Sequence, residues 1–245
     1  MKKLWIASLL LVAIMLTSCG SKGISAEDAG ALFVDRLVYQ KEENKFAKEF
    51  REGEQVGKEL DKNIKSFEEN FAKGLSATGA KVPQKEANQL TKKLLEQAQE
   101  KTSYKIVKID ETKTGAVISY YVTGLDLVSA MQEMTRQLVK KTLADPEIAK
   151  DDQKTLEATF SILEERVKSI KIKTDPVELE LHLEKEKGKW FVPENQKEAV
   201  SNLFMAFISG SENTEMMNKE LKDAMNEVAK EIIDSLDTLP MPNNN

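Results

Sequence analysis

The sequence predicts an α+β fold in which two β-hairpins form one antiparallel sheet that helices cover. β-Branched and aromatic residues lie on both sides of a turn-like segment at residues 110–115, which predicts a first hairpin. Through residues 177–184, an apolar residue alternates with a polar one, which is the pattern of a half-buried strand. Elsewhere, apolar residues recur at intervals of three and four, which is typical of amphipathic helices.

Helices are predicted before the first hairpin. Ser25 opens a capping-box sequence, so the first helix begins there and continues to about residue 52, where Gly53 and Gly57 break or bend it. A second helix with one apolar face follows, and Pro83 suits the first turn of a third helix. The apolar face of the second helix consists of Leu60, Ile64, Phe67, Phe71 and Leu75.

A helical insertion at about residues 129–170 separates the two hairpins, and a second capping-box sequence at Ser129 opens it. After the alternating strand, a turn rich in lysine at residues 185–189 leads to a short returning strand that begins at Trp190. A short helix then ends the α+β domain, whose predicted limits are residues 25–209.

Residues 210–238 are predicted to form a C-terminal helix, and residues 239–245 a disordered tail. The helix has one apolar stripe, which must be buried against something for the helix to be stable. We expect the N-terminal helices of the same chain to cover it. The alternative is an envelope protein, or a second copy of the chain, docked on the helix. The stripe consists of Met217, Leu221, Met225, Val228, Ile232 and Leu236.

Residues 1–18 have the pattern of an export signal. Two lysines precede an apolar stretch at residues 4–16, which is shorter than the ~20 residues that span a bilayer. The signal ends in an aliphatic residue, two small residues and the only cysteine of the chain, which resembles the lipobox of bacterial lipoproteins. These four residues are Leu16, Thr17, Ser18 and Cys19.

The lipobox resemblance implies lipidation of Cys19 and cleavage just before it. The acyl chains would then anchor the protein at the extracytoplasmic face of the cell membrane, with residues 19–24 as a short tether. The alternatives are an ordinary secretory signal with a coincidental cysteine and an anchor that is never cleaved.

The second hairpin carries a further resemblance. Asp175-Pro176 leads into the alternating strand, and Lys187-Gly188-Lys189-Trp190 forms its turn and return. This pattern is similar to the last hairpin of many exported NTF2-like or cystatin-like domains. Together with residues 104–127, it resembles the uncharacterised lipoproteins of low-GC Gram-positive bacteria that are known only as a domain of unknown function. The resemblance covers roughly residues 25–207 and implies no catalytic residues.

Composition excludes several kinds of site. The net charge is −5 and acidic residues are interspersed among the lysines, so we expect no nucleic-acid-binding surface. His182 is the only histidine, and with a single lipidated Cys19 the usual zinc and copper ligand sets cannot be built. We therefore expect no metal, no cofactor and no catalytic residues. By alternation, His182 lies on the polar face of its strand.

Two aromatic pairs, Tyr120-Tyr121 and Trp190-Phe191, put rings on both faces of the predicted sheet. If the sheet curves, these four side chains would line an apolar pocket, and the alternative is that they pack in the core. Three functions remain open. We favour a non-enzymatic surface module that binds an envelope protein. The second is a lipoprotein that binds a small molecule or peptide in that pocket, and the third is an enzyme with an unrecognised site.

Overall fold

A computed structural model describes residues 23–77 and 82–237. It confirms the α+β class. The signal, the lipobox residues Leu16, Thr17, Ser18 and Cys19, and the tail at residues 239–245 lie outside the described residues. The helices are α1 (Ala26–Leu37), α2 (Glu43–Glu49), α3 (Gly53–Ala77), α4 (Gln84–Lys101), α5 (Leu127–Ala144), α6 (Glu147–Lys150), α7 (Asp152–Lys168), α8 (Lys197–Ser209) and α9 (Thr214–Asp237), and the strands are β1 (Ser103–Glu111), β2 (Gly115–Thr123), β3 (Val177–Glu186) and β4 (Lys189–Phe191).

The four strands form one antiparallel sheet in the order β1-β2-β3-β4. The two predicted hairpins are β1-β2 and β3-β4, and pairing of β2 with β3 joins them although the helical insertion lies between them in sequence. Ile118 is paired with Leu181 in this central register, and both side chains are buried. The prediction of a single sheet from two hairpins is confirmed.

One face of the sheet, here called the inner face, is covered by α1 and α8. Because side chains alternate along a strand, every second residue of β2 and β3 points into this first core. The core is closely packed: a Cβ added to Gly30 in α1 would lie 2.7 Å from the Cδ1 atom of Ile118. The central side chains of the first core are Leu32, Phe33, Phe46, Ile118, Tyr120, Leu181, Leu183 and Phe207.

A second core lies beyond the end of the sheet where β2 stops. Leu125, just after that strand, belongs to it together with side chains of α3, α4, α5, α7 and the end of α8. The chain turns there at Gly124, where an added Cβ would lie 1.8 Å from the carbonyl oxygen of Ala206, so only glycine fits. The first core therefore lies on the inner face of the sheet, and the helical part lies beyond the end of the sheet where β2 stops.

The N-terminal helices differ in part from prediction. Ser25 caps α1 as expected, accepting a hydrogen bond from the Asp28 N–H at 3.1 Å. The helical stripe does not run on to residue 52, because the chain breaks after α1 at Gln40 and Glu42, which both have positive φ. Gly53 does not break a helix but starts α3, because it packs against α2: its added Cβ would lie 2.5 Å from the carbonyl oxygen of Phe46.

The insertion starts two residues earlier than predicted. Asp126, not Ser129, caps α5, and its carboxylate accepts a hydrogen bond from the Ser129 N–H at 3.1 Å. Within residues 23–77 and 82–237, no helix combines the length and apolar character needed to cross a membrane.

The C-terminal helix α9 lies within the predicted range of residues 210–238 but does not have the expected neighbour. Among the described residues, it packs mainly against α5 of the insertion rather than against the N-terminal helices. Val228 is buried at the centre of the contact, and both oxygens of Glu231 accept hydrogen bonds from the guanidinium of Arg136, at 2.7 and 2.8 Å. The amide of Gln132 in α5 also donates a hydrogen bond to Oε2 of Glu227 in α9 at 2.7 Å.

Candidate functional site

The face of the sheet that points away from α1 and α8, here called the outer face, is the candidate functional surface. The helices that pack on the sheet do so from the inner side, so every second residue of each strand points outward here. The outer face consists of Lys105, Lys108 and Asp110 of β1, Val117, Ser119 and Tyr121 of β2, Glu178, Glu180, His182 and Glu184 of β3, and Phe191 of β4.

Tyr121 lies at the centre of one end of the outer face. Its side chain is 40% exposed, which is high for an aromatic ring on a central strand. In the register of the sheet, Lys105 is its neighbour on β1 and Glu178 its neighbour on β3. The ring is therefore flanked by a cation on one side and a carboxylate on the other.

Charge is divided between the two strands beside β2. Lys108 of β1 pairs with Asp110 on its own strand, with 2.5 Å between Nζ and Oδ2. The hydrogen bond to Asp110 raises the pKa of Lys108, and the charges of Glu180 and Glu178 across the sheet act in the same direction. Lys108 thus remains a cation, and the cations of β1 face the carboxylates of β3 across the outer face.

Ser119 connects β2 to the acidic strand. Its hydroxyl donates a hydrogen bond to Oε1 of Glu180 at 3.2 Å, and the serine side chain is almost fully buried beneath its neighbours. One carboxylate of the acidic row is therefore hydrogen-bonded to the neighbouring strand.

His182 occupies the outer face, as alternation predicts, but it is half-buried and not fully exposed. Its backbone N–H donates to Oε1 of Gln196 at 3.1 Å, so a short 3-10 turn at Glu194–Gln196 closes the strand edge beside it. Its Nε2 atom is buried, with no hydrogen-bond partner within the described residues. The described ranges also contain no group of three or more His, Cys, Asp and Glu side chains placed to hold a metal ion.

The edge of β4 is covered by the segment between α2 and α3. The Arg51 N–H donates to the Trp190 carbonyl oxygen at 2.7 Å, and Phe50 forms an isolated bridge with Trp190. The guanidinium of Arg51 lies 3.7 Å from the ring centre of Phe191 and pairs with Glu186 at 2.8 Å. Phe191 is thus covered on the outer face by a stacked arginine.

The opposite edge strand, β1, has a bulge between Ile106 and Lys108. Val107 lies in the bulge with 44% of its side chain exposed. A bulge and flanking lysines are common devices by which an edge strand avoids pairing with other chains. The exposed valine therefore adds apolar area beside the outer face without offering a regular strand edge.

The four aromatic residues predicted to line a pocket are not brought together. Tyr120 and Trp190 point into the first core, whereas Tyr121 and Phe191 lie on the outer face. The pocket prediction is corrected for a simple reason: adjacent residues of a strand point to opposite faces. Burial raises the pKa of Tyr120, whose hydroxyl is buried without a hydrogen-bond partner in the described part of the chain.

Several grooves lie elsewhere on the described surface, and one of them has a partly apolar lining. A groove of about 630 Å³ lies where α3 and α8 meet near the end of β4. Its floor is apolar and its rim carries charges of both signs. Sequence reasoning missed it because its residues come from three separate segments. The floor consists of Phe33, Val56, Leu60, Val192 and Val200, and the rim of Glu59, Lys62, Asn63, Glu194 and Lys197.

A cluster of two tyrosines and a carboxylate at the start of β1 was also not predicted from the sequence. Tyr104 donates its hydroxyl to Oδ1 of Asp35 at 3.2 Å, and its ring stacks on Tyr39. Burial raises the pKa of Asp35, while the hydrogen bond from Tyr104 opposes this shift. Burial also raises the pKa of Tyr104. The cluster joins α1 to the sheet.

Comparison with solved structures places this fold beside one from Bacillus subtilis. The crystal structure of a protein provisionally described as a lipoprotein (ycdA) matches 76% of this chain with a TM-score of 0.55 and 14% sequence identity. This chain spans 56% of the length of that protein, and the likeness shows a shared fold. A comparison with curated proteins gives no match.

The family comparison gives a direct assignment. A family model described as a domain of unknown function (DUF5105) matches residues 16–208. The match begins at Leu16, the first residue of the predicted lipobox, and ends at the last turn of α8, so that α9 lies outside it. It confirms the resemblance to a lipoprotein family known only as a domain of unknown function. The chain belongs to the DUF5105 family.

Proposed function

We propose that this protein is a membrane-anchored bacterial lipoprotein with a non-enzymatic role, and that it binds another envelope protein through the outer face of its sheet. One observation carries the proposal. The sheet is covered by α1 and α8 on its inner face, and Tyr121 is 40% exposed on the central strand β2, towards one end of the outer face. Acyl chains on Cys19 would hold the domain at the extracytoplasmic face of the cell membrane.

Support for the anchor comes from the sequence and the comparisons. The basic start, the apolar stretch of residues 4–16 and the lipobox at Cys19 occur in the order that lipoprotein processing requires. The family match begins at the lipobox, and a structural neighbour is described as a lipoprotein.

Support for a protein partner comes from the chemistry of the outer face. Protein interfaces are enriched in tyrosine at their centre, and charged residues around that centre steer association and select the partner. Tyr121 provides such a centre, with Lys105 and Glu178 beside it. A nine-residue strand such as β2 is about 30 Å long, so the outer face offers a partner a contact surface of that length.

Photocrosslinking in intact cells tests this proposal. A benzophenone amino acid replaces Tyr121 in one strain and Gln89 in a matched control strain, because Gln89 is exposed on α4, away from the sheet. We expect a crosslinked adduct of defined mass at Tyr121 and none at Gln89. Equal adducts at both positions, or none at Tyr121, would overturn the proposal.

The partner identified in this way allows a quantitative test. With purified proteins, Tyr121→Ala should weaken binding at least about tenfold if the ring is an interface anchor. Tyr121→Phe keeps the ring and serves as the control, with an affinity close to that of the wild type. An unchanged affinity for Tyr121→Ala would show that the partner does not use Tyr121 as an interface anchor.

The groove between α3 and α8 favours a second candidate function, the binding of a small molecule or peptide. Its volume of about 630 Å³ lies in the range of ligand pockets, and five apolar side chains line it together with five polar or charged ones. Anilinonaphthalene sulfonate is a suitable probe. Val200→Glu should abolish its fluorescence enhancement, and Val117→Glu on the outer face is the control. Equal loss in both variants would argue against this site.

A further inference from the structure

The start of the folded domain is attached to the second hairpin. The carbonyl oxygen of Ile24 accepts hydrogen bonds from Nε1 of Trp190 at 3.0 Å and from Nζ of Lys185 at 3.1 Å. Trp190 is buried in the first core, so this attachment does not depend on an exposed, mobile side chain. The N-terminus of the domain is thereby held at one end of the sheet.

The chain between this attachment and the proposed lipid anchor is short. Five peptide units separate Cys19 from Ile24. A fully extended chain advances at most ~3.6 Å per residue, so Ile24 lies within about 18 Å of an acylated cysteine. The hairpin to which Ile24 is attached must therefore lie close to the membrane surface.

Both hairpin turns lie at this same end, which we call the hairpin end and define as residues 111–115 and 185–189. Gly115, just after the first turn, is paired with Glu184, just before the second, so the two turns lie side by side. A groove between them is lined by Gly23 and Ile24 as well as by both turns.

Lysines form the tips of the hairpin end. Lys113 stands between two threonines in the first turn, and Lys187 projects from the second with 90% of its side chain exposed. Lys189 is also exposed. Acidic residues lie beside these lysines. Glu186 lies 4.0 Å from the ammonium of Lys187 and pairs with Arg51 at 2.8 Å. The other acidic residues at this end are Glu111, Glu184 and, at the start of α1, Glu27 and Asp28.

The helical part of the molecule lies at the other end of the sheet. The second core begins at Leu125, after the end of β2 that is farthest from the turns. Strands of nine residues separate the two ends by about 30 Å. Anchoring at the hairpin end would therefore direct α5, α6, α7 and α9 away from the membrane.

We infer that the hairpin end docks on the anionic phospholipid surface, with Lys113 and Lys187 in contact with the headgroups, and that the helical part projects from the membrane. This inference rests on the proposed function, because it requires an acylated Cys19. A lysine close to an anionic bilayer strengthens its binding by about fivefold. The two turn tips would thus orient a domain that the acyl chains alone would leave free to tilt.

Lysine footprinting of the acylated protein tests the orientation. Protein purified from membranes is inserted into vesicles of phosphatidylcholine and phosphatidylglycerol, which contain no amines, and treated with an acetylating ester. Mass spectrometry then compares each lysine with the same protein in neutral detergent. We expect acetylation of Lys113 and Lys187 to slow by about fivefold. Exposed Lys150 on α6 and Lys222 on α9 are the controls, with unchanged rates.

Charge-reversal variants distinguish recognition of lipid charge by the hairpin end from simple proximity of that end to the membrane. Lys113→Glu should remove the protection of Lys187, and Lys187→Glu should remove that of Lys113, whereas Lys150→Glu combined with Lys222→Glu should leave both protected. In vesicles of phosphatidylcholine alone, the protection should also be lost. Equal rates at all four reporter lysines, protection of Lys150 and Lys222, or protection that persists without phosphatidylglycerol would overturn the inference.

Flotation of the same vesicles distinguishes failure of the proposed lipid anchor from failure of the docking inference. If the protein does not float with the vesicles, it has no lipid anchor, and the proposed function falls together with the orientation. If it floats but all four reporter lysines react equally, the anchor stands and only the docking of the hairpin end is wrong.

Discussion

The indole Nε1–H of Trp190 donates a hydrogen bond to the carbonyl oxygen of Ile24 at 3.0 Å, across 166 residues of sequence. The ammonium of Lys185 donates to the same oxygen and lies 4.8 Å from the centre of the indole ring. The first turn of the domain and its last strand are therefore linked directly, so that stability of the hairpin and position of the N-terminus depend on each other.

Trp190→Phe should lower the free energy of unfolding by about 1–3 kcal/mol, because it removes a donor to a partly buried carbonyl and some packing volume. Urea denaturation measures the change. Lys185→Met, which removes the other donor from a half-buried position, is the matched control with a smaller cost. Equal stability of wild type and Trp190→Phe would show that the indole hydrogen bond contributes nothing.

Cys19→Ala should prevent acylation, so that the uncleaved precursor accumulates and the detergent-phase protein disappears. The physical reason is that only the thiol sulfur can accept the diacylglycerol group, and the acyl chains supply ~0.8 kcal/mol of membrane affinity per buried CH₂. Immunoblots of membrane and soluble fractions measure both effects. Ser18→Ala keeps a small residue at the cleavage site and should be processed normally. Normal processing of Cys19→Ala would end the lipoprotein interpretation.

Leu181→Ala should cost about 2–4 kcal/mol of unfolding free energy, because the leucine is 1% exposed in the first core. Glu180→Ala, one residue away, changes an exposed side chain on the outer face and should cost less than about 1 kcal/mol, since it loses a single hydrogen bond from Ser119. Chemical denaturation of both variants compares the two faces of β3. Similar small losses would contradict the register of the sheet.

Deletion of residues 211–245 should lower the melting temperature by about 6–12 °C, which corresponds to about 3 kcal/mol of burial lost between α9 and α5. It also removes the ion pair of Lys173 with Glu220 at 2.8 Å. Deletion of residues 239–245 alone is the control and should leave melting unchanged. A deletion of 211–245 that melts normally, but no longer self-associates or binds a partner, would instead identify α9 as a docking helix.

Asp35→Asn should change the dependence of stability on pH. Burial raises the pKa of Asp35 above its ordinary 3.8, so the folded state holds this proton more tightly than the unfolded state. Stability from this residue is thus present at low pH and declines as pH rises from 3.8 through the raised pKa. The stability of Asp35→Asn minus that of the wild type should therefore increase over that range. Asp223→Asn, at an exposed position of α9, is the control, and the same slope in both would contradict the burial effect.

Much of the secondary structure could be predicted because its signals are local. The alternation of leucine and charge defines β3 and its buried side, and the capping sequence at Ser25 defines the start of α1. The apolar stripe gives the bounds of α9. In each case, residues that are neighbours in sequence determine the hydrogen-bonding and burial pattern of one element.

The failures arose where two separate elements pack against each other. Gly53 reads as a helix breaker, but close contact with α2 requires a residue without a side chain and makes it the first residue of α3. The apolar stripe of α9 shows that this helix must pack against another element. The stripe does not indicate which helix, or which face of it, forms that contact. That partner is α5.

The sequence by itself determined the α+β class, the two hairpins and the lipobox pattern at Cys19, because these depend on short-range periodicity and on a contiguous motif. Only the tertiary structure decided which of Tyr120 and Tyr121 points into the first core, and that no helix among the described residues covers the outer face around Tyr121. It also decided that Trp190 holds Ile24 at the hairpin end. The physical reason is that such relationships depend on packing between residues far apart in the chain, where many pairings satisfy the same local pattern and only the closest-packed one is stable.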